Sequence, residues 1–368
     1  MPKSTKAAVL YAPRASFEVQ DVELDDLRAT EVLVRMVATG LCHTDLSVWA
    51  GGVPFPLPGV LGHEGAGVVE QVGTNVTGVK TGDKVVLSYT SCGDCGACSG
   101  GHPAYCSTWL PRNLFNGARE DGSSTITQAG KPIGGHFFAQ SSFANHGIAE
   151  QRNVVVVNPE ADLVPLAPLG CGVMTGFGSV WYALDLQPGA RMAVFGAGAI
   201  GMAGLIAAKL RRPEVLVAVD VVPNRLKVAL ELGATHALNA KTDNVVERIR
   251  EITRGAGLTA ALDTTGVAAV ARNAIDALGA RGHLVTCAAP PPGTEIPVDF
   301  QGILTGKMVS GVTMGDATPQ VLIPQLADLL MKGQLPLRRL AKHYRLDQLD
   351  QAAHDMHAGV TVKPVIVH

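Results

Sequence analysis

At 368 residues the chain exceeds the length that one hydrophobic core usually supports, so we expect two domains. Its 47% hydrophobic and 17% charged residues are typical of well-packed globular proteins and exclude an intrinsically disordered chain. The net charge of −2 at pH 7 gives no electrostatic sign of a protein that binds nucleic acid or an anionic membrane.

Neither export nor membrane insertion is indicated by the sequence. Residues 1–6 lack the apolar core of a signal peptide, and the longest uncharged apolar run, residues 192–208, is broken by glycines. Seven cysteines in a chain without an export signal favour reduced thiols or metal ligands over a disulfide framework. We therefore expect a cytoplasmic protein.

The N-terminal region is predicted to be rich in β-structure. Short strand candidates, separated by Gly, Pro and Asp, cover residues 7–10, 31–36 and 84–87. Between them lie Cys42 and the segment Gly62-His63-Glu64-Gly65-Ala66-Gly67, which supply a thiolate and an imidazole, two ligand types that zinc favours. A lone histidine in such a turn would more simply be a satisfied structural side chain. The cysteines and a second metal motif favour the ligand interpretation.

Four cysteines follow one another at the spacing C-x2-C-x2-C-x7-C. Four thiolates on a glycine-rich loop make a closed tetrahedral shell with no open position, so we predict a structural zinc in a lobe of about residues 91–107. An iron–sulfur cluster is the main alternative. A zinc ribbon that binds nucleic acid is a weaker one, because no basic patch surrounds the cysteines. The motif consists of Cys92, Cys95, Cys98 and Cys106, and Cys287 is left as a core residue.

The second half of the chain carries a predicted dinucleotide-binding turn. A buried strand, residues 192–195, runs into Gly196-Ala197-Gly198-Ala199-Ile200-Gly201 and then an apolar helix. The next strand, residues 215–219, ends at Asp220, which is suitably placed to bind a ribose 2′-hydroxyl. Because a carboxylate repels a 2′-phosphate, we predict NAD rather than NADP. The residues expected to bind the cofactor here are Gly196, Gly198, Gly201, Asp220 and Arg225.

Helices and strands continue to alternate beyond this turn, which predicts a doubly wound fold. Helices are expected at residues 173–180, 226–232, 245–253 and 267–278, and strands at 260–263, 283–287 and 307–313. Helices at 319–331 and 347–358 and a strand at 363–368 complete the chain, whereas residues 109–131 are expected to be an irregular surface segment.

The metal motifs and the glycine turn together resemble the zinc-containing alcohol dehydrogenases of the medium-chain dehydrogenase/reductase superfamily over nearly the whole chain. The spacing G-H-E-x2-G-x5-G-x2-V, which begins at Gly62, is similar to their signature. The resemblance implies a catalytic zinc with an open fourth position. Its ligands would be Cys42, His63 and Cys171, with Asp45 and Glu64 behind them. The approach of Cys171 to Cys42 is implied by the resemblance alone.

The same resemblance implies roles for other residues. Thr44 would take the proton of the alcohol, and Ser47 stands where relatives often have a histidine that carries it away, which leaves the final acceptor open. The nicotinamide would lie near Thr175 and Ile200, and the pyrophosphate would touch His43 and Lys363. Candidate residues of the substrate pocket are Trp49, Phe137 and Phe138.

The resemblance also implies the architecture, an α/β protein with a GroES-like, β-rich catalytic domain and a doubly wound Rossmann domain. The expected boundaries are residues 1–171 for the catalytic domain, 172–313 for the NAD-binding domain and 314–368 for a return to the first domain. We expect a homodimer or homotetramer, paired through the sheet edges of the nucleotide-binding domains.

The expected activity is a zinc-dependent, NAD-linked, reversible oxidation of a primary alcohol to the aldehyde. The segments Gln140-Ser141-Ser142-Phe143-Ala144 and Val362-Lys363-Pro364 are similar to those of aryl (benzyl) alcohol and geraniol dehydrogenases, which favours an aromatic or allylic alcohol. Alternative enzymes are a glutathione-dependent formaldehyde dehydrogenase and a short-chain aliphatic, secondary-alcohol or polyol dehydrogenase. A zinc-stabilised sensor that binds a dinucleotide without catalysis is the alternative outside enzymes.

Overall fold

The computed structural model describes residues 3–368, and Met1 and Pro2 lie outside the described part. The chain divides into two units, which are described separately below. The first unit comprises Met1–Cys171 and Thr318–His368, and the second comprises Gly172–Ala317.

Short strands make up most of the N-terminal part of the first unit. They are β1 (Lys3–Leu10), β2 (Glu18–Leu24), β3 (Glu31–Gly40), β4 (Gly59–Val60), β5 (Gly65–Val72), β6 (Lys84–Leu87), β7 (Ile126–Gln128), β8 (Lys131–Ile133), β9 (His146–Glu150) and β10 (Val154–Val156). The α-helices are α1 (His43–Trp49) and α2 (Gly96–Ser99). Single 3₁₀ or π turns cover Pro103–Tyr105, Pro111–Phe115, Phe137–Ala139, Gln151–Asn153 and Val164–Gly170.

The second unit alternates helices and strands. Its elements are α3 (Gly172–Gly178), β11 (Arg191–Phe195), α4 (Ala199–Leu210), β12 (Val215–Asp220), α5 (Pro223–Leu232), β13 (His236–Asn239), α6 (Val245–Ile252), β14 (Leu258–Asp263), α7 (Ala268–Ala277), β15 (Leu278–Thr286), α8 (Phe300–Ile303) and β16 (Met308–Gly311). Short turns cover Ser179–Ala183 and Met314–Asp316.

The chain then returns to the first unit. This segment contains α9 (Pro319–Met331), β17 (Ala341–Arg345), α10 (Leu349–His357) and β18 (Lys363–Val367), with 3₁₀ turns at Leu337–Arg339 and Leu346–Gln348. Strand β18 pairs antiparallel with β3, so that Val365 lies opposite Gly40. This pairing brings the residue that begins β18, Lys363, close to the strand that precedes α1.

In the described residues the first unit holds two sheets, ordered β4-β1-β2-β7-β8 and β10-β6-β5-β3-β18-β17, with β9 also paired to β3. Strand β3 lies inside the second of these sheets, and its sequence EVLVRMVATG is almost wholly buried. Its β-branched and apolar residues suit a strand that packs on both faces. The core around it consists of Val32, Val34, Met36, Val69, Val85, Leu87, Ala149 and Val154.

The sheet of the second unit has the order β13-β12-β11-β14-β15-β16, and each neighbouring pair is parallel. This is the strand order of a dinucleotide-binding fold. Successive strands are added on one side of β11 up to β13 and then, from β14 onward, on its other side, so the strand order reverses between β11 and β14. Strand β12, VLVAVD, is buried along its whole length, because helices cover both faces of a parallel sheet. The predicted α/β class is therefore confirmed.

The structure corrects the prediction for residues 109–131 and moves the end of one predicted helix by a residue. Residues 109–131, expected to be irregular, contain the π turn Pro111–Phe115 and the strand β7, because Ile126 pairs with Leu24 in β2. The helix expected to reach residue 278 ends at Ala277, and β15 starts immediately after it. Neither long-range strand pairing nor an abrupt helix-to-strand junction leaves a periodic signal in the sequence.

Among residues 3–368 no single helix is both long and apolar enough to cross a bilayer. One bent pair of helices, Val164–Gly170 with Gly172–Ala183, passes the same test on length and composition only.

Candidate active site

The turn between β4 and β5 places His63 and Glu64 in the interior of the first unit, where both side chains are fully buried. Gly62 has φ of +88°, a conformation that favours glycine. A Cβ at this position would lie 2.5 Å from the backbone nitrogen of Phe143. The glycine before the histidine is therefore required by both the backbone conformation and the close approach of the 137–143 segment.

A buried group of metal-binding side chains forms around this histidine. The ligand atoms of Cys42, His63, Glu64 and Cys171 all lie within 4.8 Å of one another. The Nδ1 atom of His63 is 3.1 Å from Asp45 Oδ1, whereas its Nε2 atom is buried and has no hydrogen-bond partner in the described part of the chain. Two thiols and an orphaned imidazole nitrogen form a donor set that suits zinc.

Asp45 holds this group together from within α1. Its Oδ1 accepts hydrogen bonds from His63 Nδ1 and from the backbone nitrogen of Gly62, at 3.1 Å each. Its Oδ2 accepts from the backbone nitrogen of Cys42 at 3.0 Å, which forms part of a capping box in which Cys42 is the N-cap of the helix. The carboxylate thus ties together the segments that carry two of the candidate ligands, and it fixes which nitrogen of His63 remains available.

The group of Cys42, His63, Glu64 and Cys171, called the first group below, contains two thiols whose pKa values differ. The pKa of Cys42 lies well below its ordinary value, mainly because Cys171 hydrogen-bonds to its thiolate, and burial only partly opposes this. The pKa of Cys171 is raised by the same hydrogen bond and by burial. Burial is the largest single influence and lowers the pKa of His63, but the charge and hydrogen bond of Asp45 together with the neighbouring Cys42 thiolate outweigh it and raise the pKa to about 10. The group therefore stabilises a thiolate at Cys42.

A buried ion pair lies behind the group. Glu64 Oε2 is 2.5 Å from Lys363 Nζ, which also donates to the carbonyl oxygen of Leu41 at 2.9 Å. Lys363 is only 4% exposed. Its ammonium is thus directed at Glu64, and the pyrophosphate contact expected from the sequence stays a prediction. A Cβ on Gly40 would collide with the same carboxylate, so glycine is required there as well.

The hydroxyl groups of α1 lie beside the first group. Thr44 Oγ1 is 3.8 Å from the sulfur of Cys42, and its side chain is half-buried. Ser47, at the position of the missing histidine, donates its hydroxyl hydrogen to the carbonyl oxygen of His43 at 2.9 Å. His43 is exposed to solvent. The proton acceptor beyond Thr44 therefore stays open.

Aromatic side chains surround His63. The ring of Phe138 stacks on the imidazole with centroids 4.4 Å apart, and Phe137 meets it edge-on at 5.4 Å. Trp109 packs edge-on against Phe138 at 5.6 Å, and Phe55 against Phe137 at 5.1 Å. The structure thus brings Phe137 and Phe138 to the first group, together with two residues that the sequence analysis missed.

Trp49, the third candidate pocket residue, lies at the end of α1. Its indole nitrogen donates to the carbonyl oxygen of Ala15 at 2.8 Å, and the structure does not bring it into the aromatic group around His63. Trp109 was overlooked because it follows the cysteine lobe in a segment that is otherwise polar. Its position three residues after Cys106 was the available signal.

The side-chain amide of Gln140, which the sequence analysis did not assign to the site, also supports it. Gln140 donates to the carbonyl oxygens of His63 and Ser88, at 3.0 and 2.9 Å, and accepts from the backbone nitrogen of Gly65 at 3.0 Å. The side chain is buried and fully hydrogen-bonded, so it fixes the backbone on either side of Glu64.

The four-cysteine lobe forms a second group. The sulfur atoms of Cys92, Cys95, Cys98 and Cys106 lie within 4.8 Å of one another. Backbone N–H groups of Ser107 and Cys98 lower the pKa of Cys95 to about 5, whereas the interaction with Asp94 raises the pKa of Cys92 to about 12. All four donors are sulfur, so a metal held here is fully enclosed by protein ligands.

The glycine turn of the second unit has the expected form. Gly196 has φ of +91°, Gly198 caps α4, and a Cβ on Gly201 would collide with the carbonyl oxygen of Gly196. The turn therefore leaves the backbone at the helix N-terminus open to a phosphate. Asp220 ends β12, and its Oδ2 atom accepts from the backbone nitrogen of Ala197 at 2.6 Å.

Asp220, Thr175 and Arg225 are further cofactor residues predicted in the second unit. The second carboxylate oxygen of Asp220, Oδ1, accepts from the backbone nitrogens of Val221 and Val222 at 2.7 and 2.8 Å. Helices α3 and α4 pack so closely that a Cβ on Gly176 would collide with the carbonyl oxygen of Ile200. Thr175 is buried in α3, and Arg225 is half-buried in α5.

Comparison with known proteins places this geometry in context. Residues 28–159 match the family described as alcohol dehydrogenase GroES-like domain, and residues 199–331 match the family described as zinc-binding dehydrogenase. A geraniol dehydrogenase from Castellaniella defragrans is 39% identical over 99% of this chain and 98% of its own length. An S-(hydroxymethyl)glutathione dehydrogenase from Paracoccus denitrificans is 33% identical over 99% of this chain and 100% of its own. The crystal structure of a benzyl alcohol dehydrogenase from Acinetobacter calcoaceticus is 42% identical, with a TM-score of 0.95 over 99% of both chains.

Proposed function

The chain belongs to the zinc-containing alcohol dehydrogenases of the medium-chain superfamily, and on this premise we propose that it oxidises primary aromatic or allylic alcohols to aldehydes with NAD. Membership confirms the predicted family, the GroES-like and Rossmann-type fold, and zinc and NAD as the cofactors. The assignment of individual residues and of the substrate is our proposal.

We assign the catalytic zinc to Cys42, His63 and Cys171 and the structural zinc to the four-cysteine lobe. One observation carries the first assignment: His63 Nε2 is buried without a hydrogen-bond partner in the described residues, beside two thiols. A buried polar atom left unsatisfied is costly, and a metal ion removes that cost. When bound, zinc supplies a Lewis acid for the alcohol oxygen and NAD supplies the hydride acceptor.

The protein's own residues then orient the groups and move the proton. Asp45 keeps the His63 proton on Nδ1, so that Nε2 remains a donor to the metal. Thr44, beside Cys42, would take the proton of the alcohol hydroxyl. Asp220 and the glycine turn would hold the ribose and the pyrophosphate. Phe137, Phe138 and Trp109 favour a flat, apolar substrate.

The metal assignment is tested by replacing Cys42 with Ser. We expect the Cys42→Ser variant to lose one of two bound zinc ions and almost all alcohol oxidation, while the lobe keeps its zinc. The matched control is Cys287→Ser, which removes the one cysteine outside both groups and should retain zinc content and activity. Unchanged turnover of Cys42→Ser at full occupancy of the lobe would refute the assignment.

The substrate class is tested by following NADH formation with benzyl alcohol, geraniol, ethanol and S-(hydroxymethyl)glutathione. We expect the first two to give kcat/KM values about tenfold or more above that of ethanol, because their larger apolar groups gain more from a hydrophobic pocket. The relative from Paracoccus denitrificans keeps S-(hydroxymethyl)glutathione as the second candidate, and a preference for it would contradict an aromatic or allylic substrate.

For the cofactor, Asp220→Ala should narrow the preference for NAD over NADP, since the repulsion of a 2′-phosphate is removed. An unchanged ratio of kcat/KM values for the two cofactors would contradict this role for Asp220.

The cytoplasmic location expected from the sequence stays a prediction.

We also propose a homo-oligomer that pairs through β16. This strand is an edge of the parallel sheet, and in the described residues β15 is its one neighbour. Met308 and Val309 on the strand are exposed, and Phe300 and Leu304 nearby are 76% and 73% exposed. An unprotected edge with apolar side chains is a typical pairing surface.

A further inference from the structure

A buried turn next to His63 holds its backbone in a rare conformation. Phe138, Ala139 and Ser141 have φ angles of 50°, 52° and 45°, in the left-handed region that residues with a Cβ seldom adopt. All three residues are buried. Strain of this kind persists only where the surroundings enforce it, and it concentrates at functional sites.

Asn153 enforces the conformation from outside the turn. Its Nδ2 group donates to the carbonyl oxygens of both Phe138 and Ala139, at 2.9 Å each, and the side chain is fully buried. Ser141 closes the other end, where its hydroxyl donates to the carbonyl oxygen of Val60 at 2.7 Å. A single amide therefore clamps two consecutive left-handed residues.

The turn held by Asn153 places the ring of Phe138 against the imidazole of His63. Phe138 stacks on His63 with an interplanar angle of 23°, and Asp45 holds the Nδ1 atom of the same ring. A face contact and an edge contact together determine the plane of the imidazole. That plane sets the direction of Nε2, the atom left for a metal ion.

We propose that Asn153 is a positioning residue for the metal site: by clamping the turn it seats Phe138 on His63 and thereby aims Nε2 at the space between the two thiols. The inference rests on the proposed role of His63 as a zinc ligand. Without the clamp, the turn relaxes toward negative φ, Phe138 withdraws, and the imidazole gains freedom to rotate.

The test loads cobalt(II) at Cys42, His63 and Cys171 while zinc stays in the four-cysteine lobe, and it records the visible absorption of the cobalt. Asn153→Asp keeps the size of the side chain but removes the N–H donor. We expect its cobalt bands to shift and its cobalt affinity at this site to fall about tenfold or more, the usual effect of losing a residue that supports a ligand. Phe138→Leu should change both in the same direction.

Two further variants separate positioning from stability. Val85→Ala opens a cavity in the core of the same unit without touching the turn, so it should lower the melting temperature and keep the native cobalt spectrum. Ala139→Gly removes one left-handed penalty, so combining it with Asn153→Asp should restore part of the native spectrum.

The inference is overturned if folded Asn153→Asp has the native cobalt spectrum and affinity. Should that variant not fold, an unchanged spectrum in Phe138→Leu overturns it equally. A wild-type protein that binds cobalt in the lobe but not at Cys42, His63 and Cys171 would instead refute the proposed metal assignment.

Discussion

Lys363 and Glu64 depend on each other for their burial behind the candidate metal group. Burial raises the pKa of Glu64, and the charge of Lys363 only partly opposes this. Burial is the largest single influence and lowers the pKa of Lys363, but the charge and hydrogen bond of Glu64 together with the charges of Cys42 and Cys171 outweigh it, and the pKa lies above its ordinary value. Each charge is tolerated in the interior because the other is 2.5 Å away.

Removing the lysine alone should therefore be costly. We predict that Lys363→Met lowers the free energy of unfolding by roughly 3–5 kcal/mol, because it leaves a carboxylate buried without its partner. The matched control is Lys342→Met, whose exposed ammonium pairs with Asp355 and whose loss should cost much less, because solvent screens this ion pair. Denaturant unfolding of the zinc-loaded proteins measures both.

Adding Glu64→Gln to Lys363→Met should recover most of the loss, since no charge then remains uncompensated. If Lys363→Met were as stable as Lys342→Met, the ion pair would not be what makes the burial of either group possible.

Glu150 gives a pH-dependent prediction at the same scale. Burial would raise its pKa, but hydrogen bonds from His136 and Thr90 together with nearby positive charge outweigh this and lower it below its ordinary value of 4.5. A carboxyl with a lowered pKa stabilises the fold above its unfolded-state pKa, and that contribution disappears as the pH falls through its folded-state pKa. Glu150→Gln should therefore be less stable than wild type at pH 6, and the difference should shrink below about pH 4.5.

Urea unfolding of both proteins between pH 3.5 and 6 measures this difference. A gap in stability that is constant across this range would show that Glu150 acts through packing and not through its charge.

At the scale of elements, the turn from β4 to β5 depends on one glycine. We predict that Gly62→Ala destabilises the protein by more than about 2 kcal/mol, because the left-handed backbone and a Cβ 2.5 Å from Phe143 are both unfavourable. Gly82→Ala is the control, since Gly82 has φ of +90° with open space around it and should cost only about 1 kcal/mol. Thermal unfolding compares the two variants.

The zinc content of the two glycine variants should also differ. Gly62→Ala should also lose zinc from the Cys42, His63 and Cys171 group, because His63 follows the glycine directly, whereas Gly82→Ala should keep both ions. Equal stability and equal zinc content in the two variants would contradict the role of the close approach.

Elements with short-range signals could be predicted from the sequence, and contacts between distant segments could not. The C-x2-C-x2-C-x7-C and G-x-G-x-x-G motifs carry their geometry within a few residues, so the lobe and the glycine turn were recognisable. The left-handed turn at Phe138 depends on Asn153, and the place of Trp109 depends on its contact with Phe138. Neither relation leaves a pattern in the sequence.

At the scale of the whole molecule, the exposed edge at β16 predicts association. We expect light scattering to show a dimer or tetramer for the native chain and a smaller species for Val309→Lys, because a charge on an edge strand opposes pairing. The control is Val321→Lys, at a valine in α9 that is 54% exposed against 46% for Val309, and it should leave the assembly unchanged. A monomeric native protein would contradict the proposal.

The segment that returns to the first unit contains a contact that could not be predicted from the sequence. The α/β class and the family were recognisable, since they rest on motifs and on alternating elements. The sequence analysis expected Lys363 to meet the cofactor, which stays a prediction, but it did not foresee the ion pair with Glu64, because nothing near Lys363 in the chain indicates it. Only the pairing of β18 with β3 brings the two side chains together.

The four-cysteine lobe also bears on how the protein must be handled in air. The sulfur atoms of Cys92 and Cys106 are 3.4 Å apart, and those of Cys92 and Cys98 are 3.8 Å apart. Once a chelator strips the lobe, dissolved oxygen can convert two such neighbouring thiols into a disulfide, with the oxygen taking up the two electrons and two protons. A cross-linked lobe no longer offers four ligands, so zinc added later fails to restore it. Preparations therefore need a reductant before any demetallation, and reversibility of zinc removal in its presence separates metal loss from oxidative damage.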